Sequence, residues 1–233
     1  MKVEIITIFP SLFDHIFEFG MIKQASRKGL LDVSAIDLRE FCTDRHRTVD
    51  DRPYGGGQGM VLKPEPVFRA VDGCMNRDKS PASVILLSPH GTRFDQEKAK
   101  ELSLKTRLIM ICGRYEGVDQ RVADYLVDEE LSIGDFVLSG GEFAAAVVID
   151  AVSRLIPGVV GQGESVLHES FMEGLIDHPQ YTRPEEYRGR RVPSVLLSGN
   201  HSEIGKWREQ QALKRTRSCR PGLLESVETR TKE

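Results

Sequence analysis

The chain has 233 residues, 39% of them hydrophobic and a further 21 glycine, which is the apolar share of an ordinary globular protein long enough to bury a core without disulfides or metals. Its four cysteines, Cys42, Cys74, Cys112 and Cys219, form no C-x-x-C pair, so neither a zinc site nor a disulfide framework is supported and a reducing compartment is the default. The net charge of −3 is unevenly spread, because residues 178–233 carry +5 and the remainder −8: a basic tail on an acidic body.

The first ten residues are apolar but too short for a signal sequence, and Glu4 interrupts them. No apolar run approaches a membrane span, so the chain is expected to be soluble and cytoplasmic. Val3–Phe9 reads as a strand. Pro10 and Ser11 then open a segment with Leu12, Phe13, Ile16 and Phe17 at helical spacing. Val33–Leu38 reads as a strand and Pro64–Met75 as a helix with Val67, Ala70, Val71 and Cys74 on one face. Val84–Leu87 and Leu108–Ile111 are continuous apolar runs, the pattern of parallel strands covered on both sides, with a helix expected between them over Gln96–Leu104. Glu142–Ile156 is Ala/Val-rich and reads as a helix almost wholly buried. The β–α alternation predicts an α/β layered domain over 1–160. Pro157 and Gly158 stop the last helix, and glycines dilute the stretch that follows. Residues 161–177 read as a linker and 178–233 as a helical basic domain, with a helix over Ser202–Thr216.

Three glycine-bearing segments stand out. Asp51–Met60 (DRPYGGGQGM) is a loop, Cys112–Gly117 (CGRYEG) follows a strand, and Ile133–Glu142 (IGDFVLSGGE) leads into the buried helix. The last two sit where α/β proteins bind ligands, at the carboxyl ends of strands, and glycine lets backbone approach a flat ligand closely. Taken singly, each also reads as a plain tight turn. Neither a G-x-x-x-x-G-K-[ST] loop nor a G-x-G-x-x-G fingerprint is present, which disfavours nucleoside triphosphates and dinucleotides. The G-x-S-x-G elbow is missing as well. Asp44–Arg52 mixes both charges densely, either as a self-neutralised surface loop or as arginines for phosphates and bases. His168-Glu169 lacks a third ligand for a metal, so no metal ligands are assigned. The basic tail reads either as a solvated helical appendage or as a phosphate-facing module.

Together the segments resemble the TrmD tRNA (guanine-N1)-methyltransferases. The matching stretches are DRHRTVDDRPYGGGQGM (44–60), Leu87-Ser88-Pro89, CGRYEG (112–117), SIGDFVLSGGE (132–142), VSRLIPGV (152–159), HPQYTRP (178–184) and VLLSGNH (195–201). They run in the family's order over nearly the whole chain. The resemblance implies a SPOUT-type parallel sheet with a deep trefoil knot, a small mostly helical C-terminal domain, and a homodimer whose active site lies at the subunit interface. The implied reaction transfers a methyl group from S-adenosyl-L-methionine to N1 of the guanine at tRNA position 37, with Mg²⁺ as a possible assistant.

Carried over by position, the resemblance places the methyl donor among three loops: Leu86, Leu87, Ser88 and Pro89; Gly113, Tyr115, Glu116 and Gly117; and Ser132, Ile133, Gly134, Asp135, Phe136, Val137, Leu138, Gly140 and Gly141. Glu116 is the candidate for the donor's cationic end. Guanine N1 holds a proton at neutral pH, so the reaction needs a base, a cation near O6 and alignment. Glu169 stands where the family places an aspartate base, and Arg154 is the implied cation. Taken alone, Arg154 also reads as a helix C-terminal arginine opposing the dipole. Phe136 stands where many relatives have tyrosine. Asp50, Arg52, Gly55, Gly56, Gly57 and Gly59 are the implied platform for anticodon bases, and Asp177, Arg183, Asn200 and Trp207 the implied grip on the anticodon stem-loop. Two other readings stand beside this one: a related knotted RNA methyltransferase acting at another site, and a tRNA-binding homologue impaired in catalysis by Glu169. A Gly140→Val change is expected to fill the donor's slot.

Overall fold

A computed structural model describes residues 1–160, 170–171 and 174–224. The chain divides into two units, Met1–Gly161 and Gln162–Glu233.

In the first unit, β1 (Lys2–Thr7) is followed by a 3₁₀ turn over Pro10–Leu12, the short helix α1 (Phe13–Ile16) and α2 (Gly20–Arg27). Then come β2 (Asp32–Asp37), the two-stranded hairpin β3 (Asp50–Asp51) and β4 (Val61–Leu62), and α3 (Pro64–Arg77). The unit continues with β5 (Ser83–Arg93), α4 (Gln96–Ser103), β6 (Arg107–Cys112), α5 (Gln120–Tyr125), β7 (Glu129–Ser132) and α6 (Glu142–Leu155). Five strands form one sheet in the order β2-β1-β6-β5-β7, with every neighbouring pair parallel. This is the α/β parallel sheet that the sequence predicts.

The continuous apolar runs have a direct cause. Along β6, Leu108, Met110 and Cys112 join a core shared with α2, α4 and α6, while Ile109 and Ile111 join a second core shared with α3 and α5. Both faces of the strand are covered, so no polar alternation survives. On α3 the stripe Val67, Ala70, Val71 and Cys74 is buried. Pro64 opens that helix, where a missing N–H costs nothing. Asp95 caps α4 by accepting from Lys98 N at 2.9 Å.

The structure departs from the sequence reading at several points. The Leu12–Phe17 segment is a 3₁₀ turn and a single helical turn, and α2 starts afresh at Gly20, whose φ is +65. β7 (EELS), the sheet's edge, carries two glutamates and no strand pattern that the sequence makes legible. β5 runs on through Arg93, beyond its apolar stretch. The helix α6 is not almost wholly buried: Phe143 is 53% and Val147 49% exposed in the single chain.

The second unit holds a hairpin of β8 (Glu186–Tyr187) and β9 (Arg190–Arg191), a short helix α7 (Ser194–Leu197) and the long helix α8 (His201–Cys219). The hairpin was not foreseen. No helix among the described residues is long and apolar enough to cross a membrane.

Candidate active site

The carboxyl ends of β5, β6 and β7 meet at a cavity of about 420 Å³. Backbone pairing builds its first wall. Leu131 of β7 aligns with both Leu87 and Thr92 of β5, so the residues between them loop out of the ladder. The approach is close enough that a Cβ on Gly91 would lie 2.3 Å from Leu131 N. The second and third walls are knitted by glycine. Gly141 N donates to Gly113 O at 2.9 Å, and a Cβ on Gly141 would lie 2.8 Å from the Cα of Cys112. A Cβ on Gly113 would lie 3.3 Å from Leu87 O, and Arg114 bridges Gly140. Gly134, at φ +143, donates through N to Ser132 Oγ at 3.2 Å and leaves room for the Phe136 ring.

Every cofactor residue expected from the sequence lines this cavity except Asp135, which is exposed and outside it. Arg114 and Ser139, inside the expected loops, also line it, and so do His90, Gln120 and Glu130, which lie just outside them and for which adjacency to the glycine motifs is the only sequence signal.

A buried polar cluster supports the floor. Glu142 is 1% exposed at the start of α6 and accepts from Thr7 Oγ1 at 2.8 Å. Arg114 Nε lies 3.5 Å from the other carboxylate oxygen, and its guanidinium sits 4.4 Å from the centre of the Phe9 ring. Burial, reinforced by the Glu142 carboxylate, pushes the Cys112 thiol well above its ordinary pKa, so it stays protonated and unreactive. Gly140 belongs to this cluster. A Cβ there would meet Glu142 Oε2 and Arg114 Nε, not open cavity. A side chain at 140 must therefore displace the Glu142 carboxylate and the Arg114 guanidinium as well as enter the cavity that Gly140 lines.

The hairpin β3–β4 is fastened to the second wall. Glu116 N donates to Met60 O at 3.0 Å, Leu62 N to Gly117 O at 3.0 Å and Asp119 N to Leu62 O at 3.0 Å. This puts the glycine loop beside the cavity. Gly55, Gly56, Gly57 and Gly59 all have positive φ, which side chains resist, and a Cβ on Gly59 would lie 2.4 Å from Glu116 Oε1. Burial and then the Asp50 carboxylate push the Tyr115 hydroxyl's pKa up. Arg52 is exposed on the same loop.

The other expected residues are not gathered here. Arg154 lies in the last turn of α6, about 18 Å along the helix from Glu142 at ~1.5 Å per residue, and does not line the cavity. Glu169 lies outside the described residues. Asp177, Arg183, Asn200 and Trp207 belong to the second unit. There Asp177 accepts from His178 N at 2.7 Å and from Gln180 Nε2 at 2.9 Å. Asn200 caps α8 by accepting from Glu203 N at 3.3 Å. The Trp207 ring lies 6.3 Å from the rings of His178 and Tyr181. Arg183 lines a second cavity of about 690 Å³, which the sequence did not reveal. Among the described residues no group of three or more His, Cys, Asp or Glu is close enough to hold a metal ion.

The profile described as "tRNA (Guanine-1)-methyltransferase TrmD" matches residues 1–226. A tRNA (guanine-N(1)-)-methyltransferase of Dehalococcoides mccartyi (strain CBDB1) is 52% identical over 227 residues, covering 97% of this chain and 92% of the relative. The protein of that name from Geobacter sulfurreducens is 53% identical, covering 98% and 93%, and that from Geobacillus kaustophilus 49% identical, covering 97% and 92%. With its three glycine-knitted loops at the carboxyl edge of a parallel sheet, the chain belongs to the TrmD family of tRNA (guanine-1)-methyltransferases.

Proposed function

We propose that this protein methylates N1 of guanine 37 in tRNA, next to the anticodon, with S-adenosyl-L-methionine as donor. The observation that carries the reading is the glycine cradle at the ends of β5, β6 and β7, in a chain of this family. The cradle fits the donor's chemistry. Backbone at Ile133 and Leu138 offers donors and acceptors to an adenine edge, Gly134 keeps its own N–H and carbonyl in the turn that shapes this loop, and Leu86, Leu87 and Pro89 offer an apolar wall. Ser88, Gly113, Tyr115, Gly117, Ser132, Phe136, Val137, Gly140 and Gly141 complete the lining, and Glu116 faces the cationic end or an assisting Mg²⁺. When bound, the donor supplies a methyl group already activated on a sulfonium.

The protein's own residues must do the rest. Glu169, on the linker 161–177, takes the N1 proton. Arg154 stabilises the negative charge that gathers on guanine O6. Asp50, Arg52 and the glycines 55–57 and 59 hold the extruded base and its neighbour beside the cavity, since N1 lies on the pairing edge and must be turned out of the stacked loop to meet the methyl group. Asp177, Arg183, Asn200 and Trp207 hold the anticodon stem-loop.

Arg154 lies far along α6 from its own chain's cavity, so the active site is completed by a second copy. Phe143, Val147, Asp150 and Arg154 recur at helical spacing on one face of α6, and the first two are half-exposed apolar side chains. An isologous contact across this face covers them and carries Arg154 toward the other copy's cavity.

The deciding experiment offers labelled donor and two tRNA transcripts that differ only at position 37, guanine against adenine. Transfer to the guanine transcript alone, with 1-methylguanosine in the digest, is the expected result. Methylation at another nucleoside would give the related-methyltransferase reading, and tight tRNA binding with no transfer would give the impaired homologue.

A further inference from the structure

The hairpin of β8 and β9 contributes no residue to a buried core. All of Glu185–Arg191 is exposed. Yet its backbone is tightly specified. Arg188 at φ 52 and Gly189 at φ 74 form the two-residue turn between the paired residues Tyr187 and Arg190. Positive φ at both central positions is the type I′ geometry, which matches strand twist. For arginine this conformation is unfavourable, and a hairpin of two-residue strands has little stability of its own. A sequence selected only for a stable turn would place Asn or Gly at position 188.

The charges sort by face. Opposed residues in an antiparallel pair share a face, and neighbours along a strand alternate. Glu186 and Arg191 are opposed and form an ion pair of 2.5 Å, so that face is neutralised. Tyr187 and Arg190 are opposed on the other face, and the Arg188 guanidinium lies 5.2 Å from the centre of the Tyr187 ring. Among the described residues, neither Arg188 nor Arg190 has an acidic partner within ion-pair distance. One face of a preorganised hairpin thus carries two uncancelled guanidinium groups and an exposed ring. Guanidinium forks match phosphate oxygens, and fixing one on an aromatic face lowers the entropy lost on contact.

We infer that the Tyr187–Arg188–Arg190 face is an arm that grips backbone phosphates of the tRNA. It adds to the contacts expected of Asp177, Arg183, Asn200 and Trp207, and rests on the reading of tRNA as substrate. The arm supplies affinity, not chemistry, because phosphate contacts position a nucleic acid without reading its bases.

The test is the salt dependence of tRNA binding and turnover for the full-length protein, wild type against Arg188→Gly combined with Arg190→Ala. Glycine suits the positive φ at 188, so the turn survives loss of the guanidinium. The thermal midpoint should not fall. The slope of log Kd against log salt should become shallower by about two, near 0.9 per lost phosphate contact on duplex, and Kd should rise about tenfold or more at moderate salt. KM for tRNA should rise with it, while kcat at saturating tRNA and donor affinity hold. Arg191→Ala, on the neutralised face, should leave the slope unchanged. Arg188→Lys combined with Arg190→Lys should keep most of the slope.

An unchanged slope and KM in the double variant, with wild type still forming 1-methylguanosine, would overturn the arm and leave the proposed function standing. Absence of 1-methylguanosine from the wild-type reaction would instead strike the function itself.

Discussion

The carboxylate of Glu116 occupies the space that a side chain on Gly59 would need: a Cβ there would fall 2.4 Å from Oε1 and 2.5 Å from Cγ. The contact couples the glycine loop, where the base is proposed to sit, to the wall of the donor cavity. Gly59→Ala must displace Glu116, whereas Gly55→Ala meets open space and brings only the strain of its positive φ. Both changes should cost about 1–2 kcal/mol of backbone strain. Steady-state kinetics should show kcat/KM falling at least tenfold further for Gly59→Ala than for Gly55→Ala. Equal losses would uncouple the loop from the cavity.

A site completed by a second copy predicts complementation. Arg154→Ala and Gly141→Leu should each be inactive as pure proteins, the first for want of the cation and the second because its side chain collides with Cys112 backbone. Co-refolded mixtures should regain activity, since one of the two sites in a mixed dimer joins an intact cavity to the other copy's intact Arg154. Phe143→Asp, on the exposed face of α6, should give monomers by sedimentation and abolish turnover. Mixtures without activity, despite proven heterodimers, would refute the shared site.

Arg107 and Glu4 form a buried pair, 1% and 3% exposed. Arg107 donates to Glu4 Oε2 through Nε at 2.8 Å and Nη2 at 2.6 Å, and closes the end of α3 by donating to Cys74 O and Asp78 O. Arg107→Met leaves the buried Glu4 carboxylate only its longer contacts to Lys2 Nζ at 3.8 Å and Arg77 Nη2 at 3.9 Å, and should destabilise by about 3 kcal/mol. Adding Glu4→Leu should recover part of the loss in urea unfolding. Additive losses would show that the two do not act as a pair.

Tyr115 provides a pH signature. Burial first, then Asp50, raises its folded pKa above the unfolded value near 10. The folded state therefore binds this proton more tightly, and the associated stability is fully present below about pH 10 and lost as pH rises through the folded value. Asp50→Asn should lower the pH at which the Tyr115 phenolate band appears, seen as a difference from Tyr115→Phe. An unshifted titration would remove Asp50 as a contributor.

Thiol reactivity should follow burial. Cys219 is exposed on α8, while Cys74 and Cys112 are sealed and held protonated, chiefly by burial. A maleimide should modify Cys219 within minutes in native protein and reach Cys74 and Cys112 only on unfolding. Fast native labelling of Cys112 would mean that the cavity floor opens.

The sequence by itself determined the parallel sheet, because burial on both faces of β5 and β6 leaves unbroken apolar runs, and it determined the family, because the glycine motifs demand backbone geometries that few other residues tolerate. It did not reveal β7, whose EELS pattern contradicts a strand and which is held by pairing along the long β5. It did not reveal the polar cluster behind the cavity either: Thr7, Glu142 and Arg114 are distant in the chain and polar, and only the sheet brings them together. Asn200 read as an RNA contact, and tertiary structure shows the same side chain capping α8. Composition marked α6 as buried. The three-dimensional fold decided which of its faces lacks a partner, because burial depends on what packs against a helix as well as on what the helix is made of.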